Sequence, residues 1–198
     1  MNALTIVELV CSGAGHEPAV ADPSGFTLDR VALCNAADAI GSALAARGVE
    51  PGDRVAAALA PGATWVAALI GVSSIRAAFA PIPERAAEPS ARTALRAARA
   101  RVLLASDSAA LPAGLRAAAA DLEIPLVRVG FDEHGLALVD GDHVYDAHAR
   151  IAEPGDVAFV APDGAPRSHA DLVAATGDRG LAGLLDTVAA DETLVRAA

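Results

Sequence analysis

One stretch of the sequence carries the residue types of a phosphate site. Asp156–Leu172 reads as a short apolar strand, a tight Gly/Pro turn, and a helix opening on Ser168 as N-cap. Strand, glycine turn and helix N-terminus form a geometry that binds phosphate. Open backbone N–H groups and the positive end of the helix dipole converge there. The side chains and backbone that would do this work are Asp163, Gly164, Arg167, Ser168 and His169. The turn is thin for the task, with one glycine, two prolines that donate no N–H, and no lysine.

Other residues with chemical potential are less organised. Asp140, Asp142, His143, Asp146 and His148 are metal-ligating types without a recognised ligand spacing, and an acidic loop of this kind reads as solvated. Arg92, Arg96 and Arg99 recur at helical spacing and form a basic face, solvated or turned to an acidic partner. Ser73 and Ser74 have no His/Asp pairing that spacing reveals, so no nucleophile is assigned. Cys11 and Cys34 lack metal-type spacing and are too few for a disulfide framework; they are expected as buried or half-buried thiols of a cytosolic protein. No catalytic residue, cofactor or metal is expected.

The elements that must position these residues follow from hydrophobic periodicity. Residues 3–11 predict a helical lead-in, and 18–28 a small hairpin turning at Pro23–Gly25. Thr27 is a candidate cap for a helix with Leu33, Ala37, Ile40 and Leu44 on its inner face and Gly48 as its left-handed stop. Apolar strands are expected at Val55–Ala60, Phe79–Pro83, Arg101–Ala105 and Leu126–Val129. Helices are expected between them: Ala63–Ser74 with Trp65, one capped by Ser90, and Ala113–Leu122. Asp132–Glu153 reads as an acidic loop with extended pieces such as Leu136–Val139. Short apolar strands alternating with helices predict an α/β fold, a mostly parallel sheet covered on both faces. The expected organisation is one domain over 1–198: lead-in 1–17, core 18–130, acidic loop section 131–155, and loop region with terminal helix and strand 156–198.

Composition narrows the classes. The chain of 198 residues is 54% apolar and only 3% aromatic, so its core rests on small and branched aliphatic residues. A net charge of −10 and a pI near 4.8 argue against nucleic acid and anionic membranes as partners. All 15 residues counted as Lys+Arg are arginine, so chemistry that needs an ε-amine is excluded. No apolar run approaches the roughly 20 residues of a membrane span, and a basic leader is absent; a cytoplasmic location is expected.

The stretch from Asp156 also resembles the loop region of adenylate-forming enzymes, the superfamily of acyl-CoA synthetases, luciferases and peptide-synthetase adenylation domains. Asp156-Val157-Ala158-Phe159 matches that family's strand, and Ser168, His169, Asp171 and Leu172 match its Ser/Thr-His-x-Asn-Leu exit. Further matches occur in family order: Pro18-Ala19-Val20, Phe26-Thr27-Leu28, Arg47 to Val55, Trp65 to Ile70, Pro81-Ile82-Pro83 and Arg101 to Ala105. The Ser/Thr/Gly-rich loop with its lysine does not match; Ala161–Arg167 stands in its place, several residues short. The resemblance implies the family's first subdomain, truncated and with a degenerate phosphate loop. It implies a catalytically inactive binding, dimerisation or assembly module. The alternatives are one half of a split acyl- or aryl-adenylating enzyme, or an acyl/aryl-binding protein. The partners it implies are a second copy of the chain or a biosynthetic enzyme.

Overall fold

The computed structural model describes residues 5–11, 18–21, 26–107, 110–144, 152–162, 164–176 and 182–184. In chain order the elements are α1 (Ile6–Cys11), β1 (Pro18–Ala21), β2 (Thr27–Asp29), α2 (Arg30–Ala46), β3 (Arg54–Ala58), α3 (Ala63–Ser74), β4 (Ala78–Pro81) and α4 (Glu88–Ala98). They continue with β5 (Val102–Ser106), α5 (Ala113–Asp121), β6 (Leu126–Phe131), β7 (Ala137–Val139), β8 (Asp142–His143), β9 (Val157–Val160), β10 (Pro166–Ser168) and α6 (His169–Thr176).

Strands β3, β4 and β5 are short apolar runs buried on both faces, which is why they pair in parallel with helical crossovers. The main sheet runs β10-β9-β4-β3-β5-β6-β7-β8, and β1-β2 form a separate antiparallel pair. Pairings from β9 through β6 are parallel, while β10 and the β7–β8 hairpin close the two edges antiparallel. The expected α/β class therefore holds.

One face of the sheet is covered by α2 and α3. Helix α3 is buried along almost its whole length, and α2 buries Leu33, Ala37, Ile40 and Leu44 as the spacing predicts. Two glycines let these helices touch: a Cβ on Gly71 would lie 2.5 Å from the Ala37 carbonyl oxygen, and one on Gly41 2.7 Å from that of Gly71. Trp65 of α3 meets Phe79 of β4 edge-on at 4.9 Å, and Phe79 stacks over Phe159 of β9 at 6.4 Å. The opposite face is thinner. Ala91 and Leu95 of α4 and Leu115 and Ala118 of α5 pack there on Ala56, Leu103 and Ala105.

Several local expectations are corrected. Asp29, not Thr27, caps α2, accepting 2.7 Å from the Ala32 N–H, because Thr27 is held in β2 opposite Ala21. Helix α4 starts at Glu88 after Ala87, since Pro89 suits its first turn; Ser90 lies inside it. Arg99 ends α4 in the left-handed region at φ 50°, so it does not share a helical face with Arg92 and Arg96. The acidic section holds the β7–β8 hairpin, turned by Asp140 and Gly141 at φ 55° and 85°. Cys11 and Cys34 are joined in a disulfide, so the expectation of two thiols fails. Their proximity comes from α1 crossing α2, which spacing in the sequence does not encode.

Candidate functional site

The candidate corner is built from β9, its turn, β10 and α6. Where strand, turn and helix are expected, the chain forms strand, turn, strand and helix: β10 folds back antiparallel on β9, with Arg167 opposite Phe159. The five-residue connection closes on itself. The Gly164 N–H donates 2.8 Å to the Ala161 carbonyl, and the Ala161 N–H donates 2.9 Å to that of Ala165. Gly164 takes φ 87°, the left-handed conformation such a tight reversal needs.

The start of α6 is likewise filled from within. The His169 N–H donates 3.0 Å to the Asp156 carbonyl, and the Ala170 N–H 2.9 Å to that of Pro154. The Asp171 N–H donates 3.1 Å to Ser168 Oγ, and the Asp171 carboxylate accepts from the Ser168 N–H at 3.0 Å and its hydroxyl at 2.8 Å. Ser168 is thus the N-cap of a reciprocal capping box. The Ser168 backbone N–H and then its hydroxyl hold the Asp171 carboxyl below the usual carboxylate range, and the Arg167 guanidinium adds to this. A fixed carboxylate sits where the helix dipole would otherwise favour an incoming anion.

His169 is fully buried. Its Nδ1 accepts from the Ile6 N–H at 3.2 Å, tying α6 to α1, and its Nε2 has no partner among the described residues. Burial pushes the imidazole down to about 4, against the pull of the Asp156 and Glu8 carboxylates. It is neutral at pH 7 and packs where α6 meets α1.

Arg76 is the residue that sequence reading missed. Its guanidinium grips Asp156 with two hydrogen bonds, 2.9 Å from Nε and 3.1 Å from Nη2, and reaches Glu153 at 3.5 Å. Burial works to raise the Asp156 carboxyl, but Arg76 and the Glu153 N–H outweigh it and hold the group below its ordinary value. A lone cation in the apolar stretch from Val72 to Pro81 was the available signal.

The remaining sequence candidates do not converge here. Asp163, Asp146 and His148 lie outside the described residues. Asp140 is a structural residue, bonded to the Arg128 N–H at 2.8 Å and to Arg47 at 2.7 Å. His143 stands 3.6 Å from Asp132, and Asp142 is exposed in β8. Among the described residues no three His, Cys, Asp or Glu side chains gather closely enough to hold a metal ion. Ser73 and Ser74 donate to the Ala158 and Gly71 carbonyls at 3.4 and 2.8 Å, which leaves them structural. Arg92 is engaged by Glu88 and Asp121. Among the described residues no helix is long and apolar enough to cross a membrane.

Beside the β9–β10 turn lies a groove of about 480 Å³, bounded by Pro81, Ile82, Ser90, Thr93, Ala98 and Val160, with no charged side chain among the described residues of its lining. It opens at the carboxyl ends of the parallel strands β4 and β9, where sheets of this class commonly take ligands. Its size and its mostly apolar described lining suit a neutral apolar group.

The fold is similar to that of apo MatB from Rhodopseudomonas palustris, with a TM-score of 0.71 at 17% identity over 89% of this chain and 36% of that one. The anthranilate CoA ligase AuaEII in complex with anthranoyl-AMP gives a TM-score of 0.71 at 18% identity, over 89% of this chain and 36% of that one. VinN in complex with 3-methylaspartate gives 0.68 at 19% identity, over 88% and 50%. The chain thus spans between about a third and a half of the length of these structures. No curated protein sequence matches it. The family model described as AMP-binding enzyme matches residues 8–176, most of the chain, and the protein belongs to that family.

Proposed function

We propose that this chain is a binding or assembly module with the adenylate-forming fold and does not adenylate a substrate by itself. One observation carries the reading: the backbone N–H groups that begin α6, and those of Ala161 and Gly164 in the turn before it, are already engaged within the protein. Adenylation draws most of its rate from cations and N–H groups aimed at charge on the transferring phosphorus. Here the corner offers prolines, an Asp171 carboxylate and a closed turn, with no lysine anywhere in the chain. The partner fitting such a scaffold is a second copy or a biosynthetic enzyme that supplies a nucleotide site.

Titration calorimetry of the purified chain with ATP and magnesium tests this. No heat of binding is expected, and exchange of labelled pyrophosphate into ATP by the chain alone should stay at background. Tight magnesium-dependent binding by the chain alone overturns the reading.

A second reading is favoured by the coverage. The chain matches 36% of MatB, so the rest of an adenylating fold, carried in this or another polypeptide, could complete a split acyl- or aryl-acid ligase. Pyrophosphate exchange that appears only when a candidate partner is added supports this reading; its absence in every combination ends it. The mostly apolar groove leaves room for an acyl or aryl group under either reading.

A further inference from the structure

Helix α1 has six residues, too few to persist in isolation. It stays in place through four ties to the rest of the fold. Ile6 and Val10 are fully buried, the Ile6 N–H donates to His169 of α6, and Arg30 of α2 donates 2.6 Å to the Val10 carbonyl. The fourth tie is covalent: Cys11, the last residue of α1, is bonded to Cys34 on α2. Cys11 is exposed, whereas Cys34 is half-buried. Beneath α1 lies the beginning of α6, including the buried His169, whose Nε2 has no partner among the described residues.

We propose that Cys11–Cys34 is a redox clasp that holds α1 over the start of α6, and that reduction by a dithiol lifts α1 and opens the β9–β10–α6 corner. A thiolate of the reductant attacks the exposed Cys11 sulfur and the Cys34 thiolate leaves. The second thiol of the reductant then displaces Cys11, and the reductant departs as its own disulfide. Two electrons and two protons end on the cysteines, leaving two thiols. In a reducing compartment the clasp is open; under oxidising conditions it closes. The inference does not depend on whether the chain binds a nucleotide.

Hydrogen exchange of the full chain, followed with and without dithiothreitol, tests it. Exchange in α1 and in the first turn of α6 should accelerate about tenfold or more on reduction while α3 keeps its protection. Cys11→Ser and Cys34→Ser should each show the faster exchange without reductant and respond no further to it. The His169 imidazole, followed by NMR, should titrate near 4 in the oxidised chain and move toward its ordinary 6.5 once reduced. Two titratable thiols in the air-oxidised protein overturn the proposal. So does equal exchange of α1 and α6 in both redox states, or loosening of α3 together with them, which is global unfolding and not a local clasp.

Discussion

The same four residues turn the chain into two strands that flank β4. Glu50-Pro51-Gly52-Asp53 leads into β3, and Glu153-Pro154-Gly155-Asp156 leads into β9. Their hydrogen bonds are alike. The Asp53 and Asp156 carboxylates accept from the N–H of Glu50 and Glu153 at 2.9 and 2.8 Å, and each aspartate N–H returns 3.0 Å to the same glutamate's carbonyl. What differs is the surroundings. At the first turn, the Gly52 N–H donates to the Arg76 carbonyl, Ala78 donates to the Asp53 carbonyl, and Gly52 takes φ 88°. At the second, the Arg76 side chain clamps Asp156, and the residue donating to the Asp156 carbonyl is His169. One residue, Arg76, thus serves one turn with its backbone and the other with its guanidinium. Identical local sequence makes the same Asp–Glu hydrogen bonds but not the same backbone, since only Gly52 is left-handed. Long-range partners give Asp53 a single guanidinium at 4.0 Å, Arg101, and Asp156 a bidentate one beside a buried histidine.

The largest expected contrast is with pH, because only the second turn carries a histidine. The imidazole protonates near 6.5 in the unfolded chain but only near 4 when folded. The unfolded state binds more protons over that interval, so stability falls as pH drops from about 6.5 to about 4, by up to roughly 3 kcal/mol. Asp156 and Asp171 act below that range: their folded values are depressed, so the stability they add is present above about 4 and is lost as pH falls through them. Urea unfolding at pH 7.5 and pH 4.5 should show the first loss, and His169→Phe should flatten it. An unchanged slope in that variant would place the acid sensitivity elsewhere.

Next in size is the clamp. Arg76→Ala should lower the urea midpoint, through lost charge-assisted hydrogen bonds at a corner that is only part-buried. In double-mutant cycles it should couple measurably to Asp156→Ala and not to Asp53→Ala. Equal coupling to both aspartates would mean the two turns are not as different as their surroundings suggest. Taken singly, Asp156→Ala should destabilise by about 2 kcal/mol and Asp53→Ala by about 1 kcal/mol, since the latter loses a cap without a bidentate cation. The finest contrast lies in the glycines. Neither would meet another atom on gaining a Cβ, but only Gly52 is left-handed. Gly52→Ala should cost about 1 kcal/mol, and Gly155→Ala should stay within about 0.5 kcal/mol of neutral, both read from thermal or urea midpoints.

The sequence carried the parallel core well, because its signals are local. Pro61-Gly62 and the apolar run after it place α3 at Ala63–Ser74 as expected, and the spacing of Leu33, Ala37, Ile40 and Leu44 gives the buried face of α2. Caps were harder, since Thr27 and Asp29 both qualify by type and only strand pairing decides between them. At the candidate site the residue types were legible and their engagement was not. Whether Ser168 and Asp171 face a ligand or each other depends on β10 folding back, and no short window encodes that. The Arg76–Asp156 clamp and the Cys11–Cys34 bond join segments distant in sequence, which periodicity and spacing cannot see. The shared turn escaped for the opposite reason: it recurs once, with no period to reveal it.

The only tryptophan stands at a telling place in this architecture. Trp65 lies against Phe79, and Phe79 lies over Phe159, so its indole reads the seam where β9 joins the sheet. Its emission is therefore a built-in optical gauge of that junction: detachment of the β9 corner changes its colour and intensity while the far edge at β7 and β8 leaves it silent. One fluorophore, already in the native chain, separates the fraying of one border from the melting of the whole.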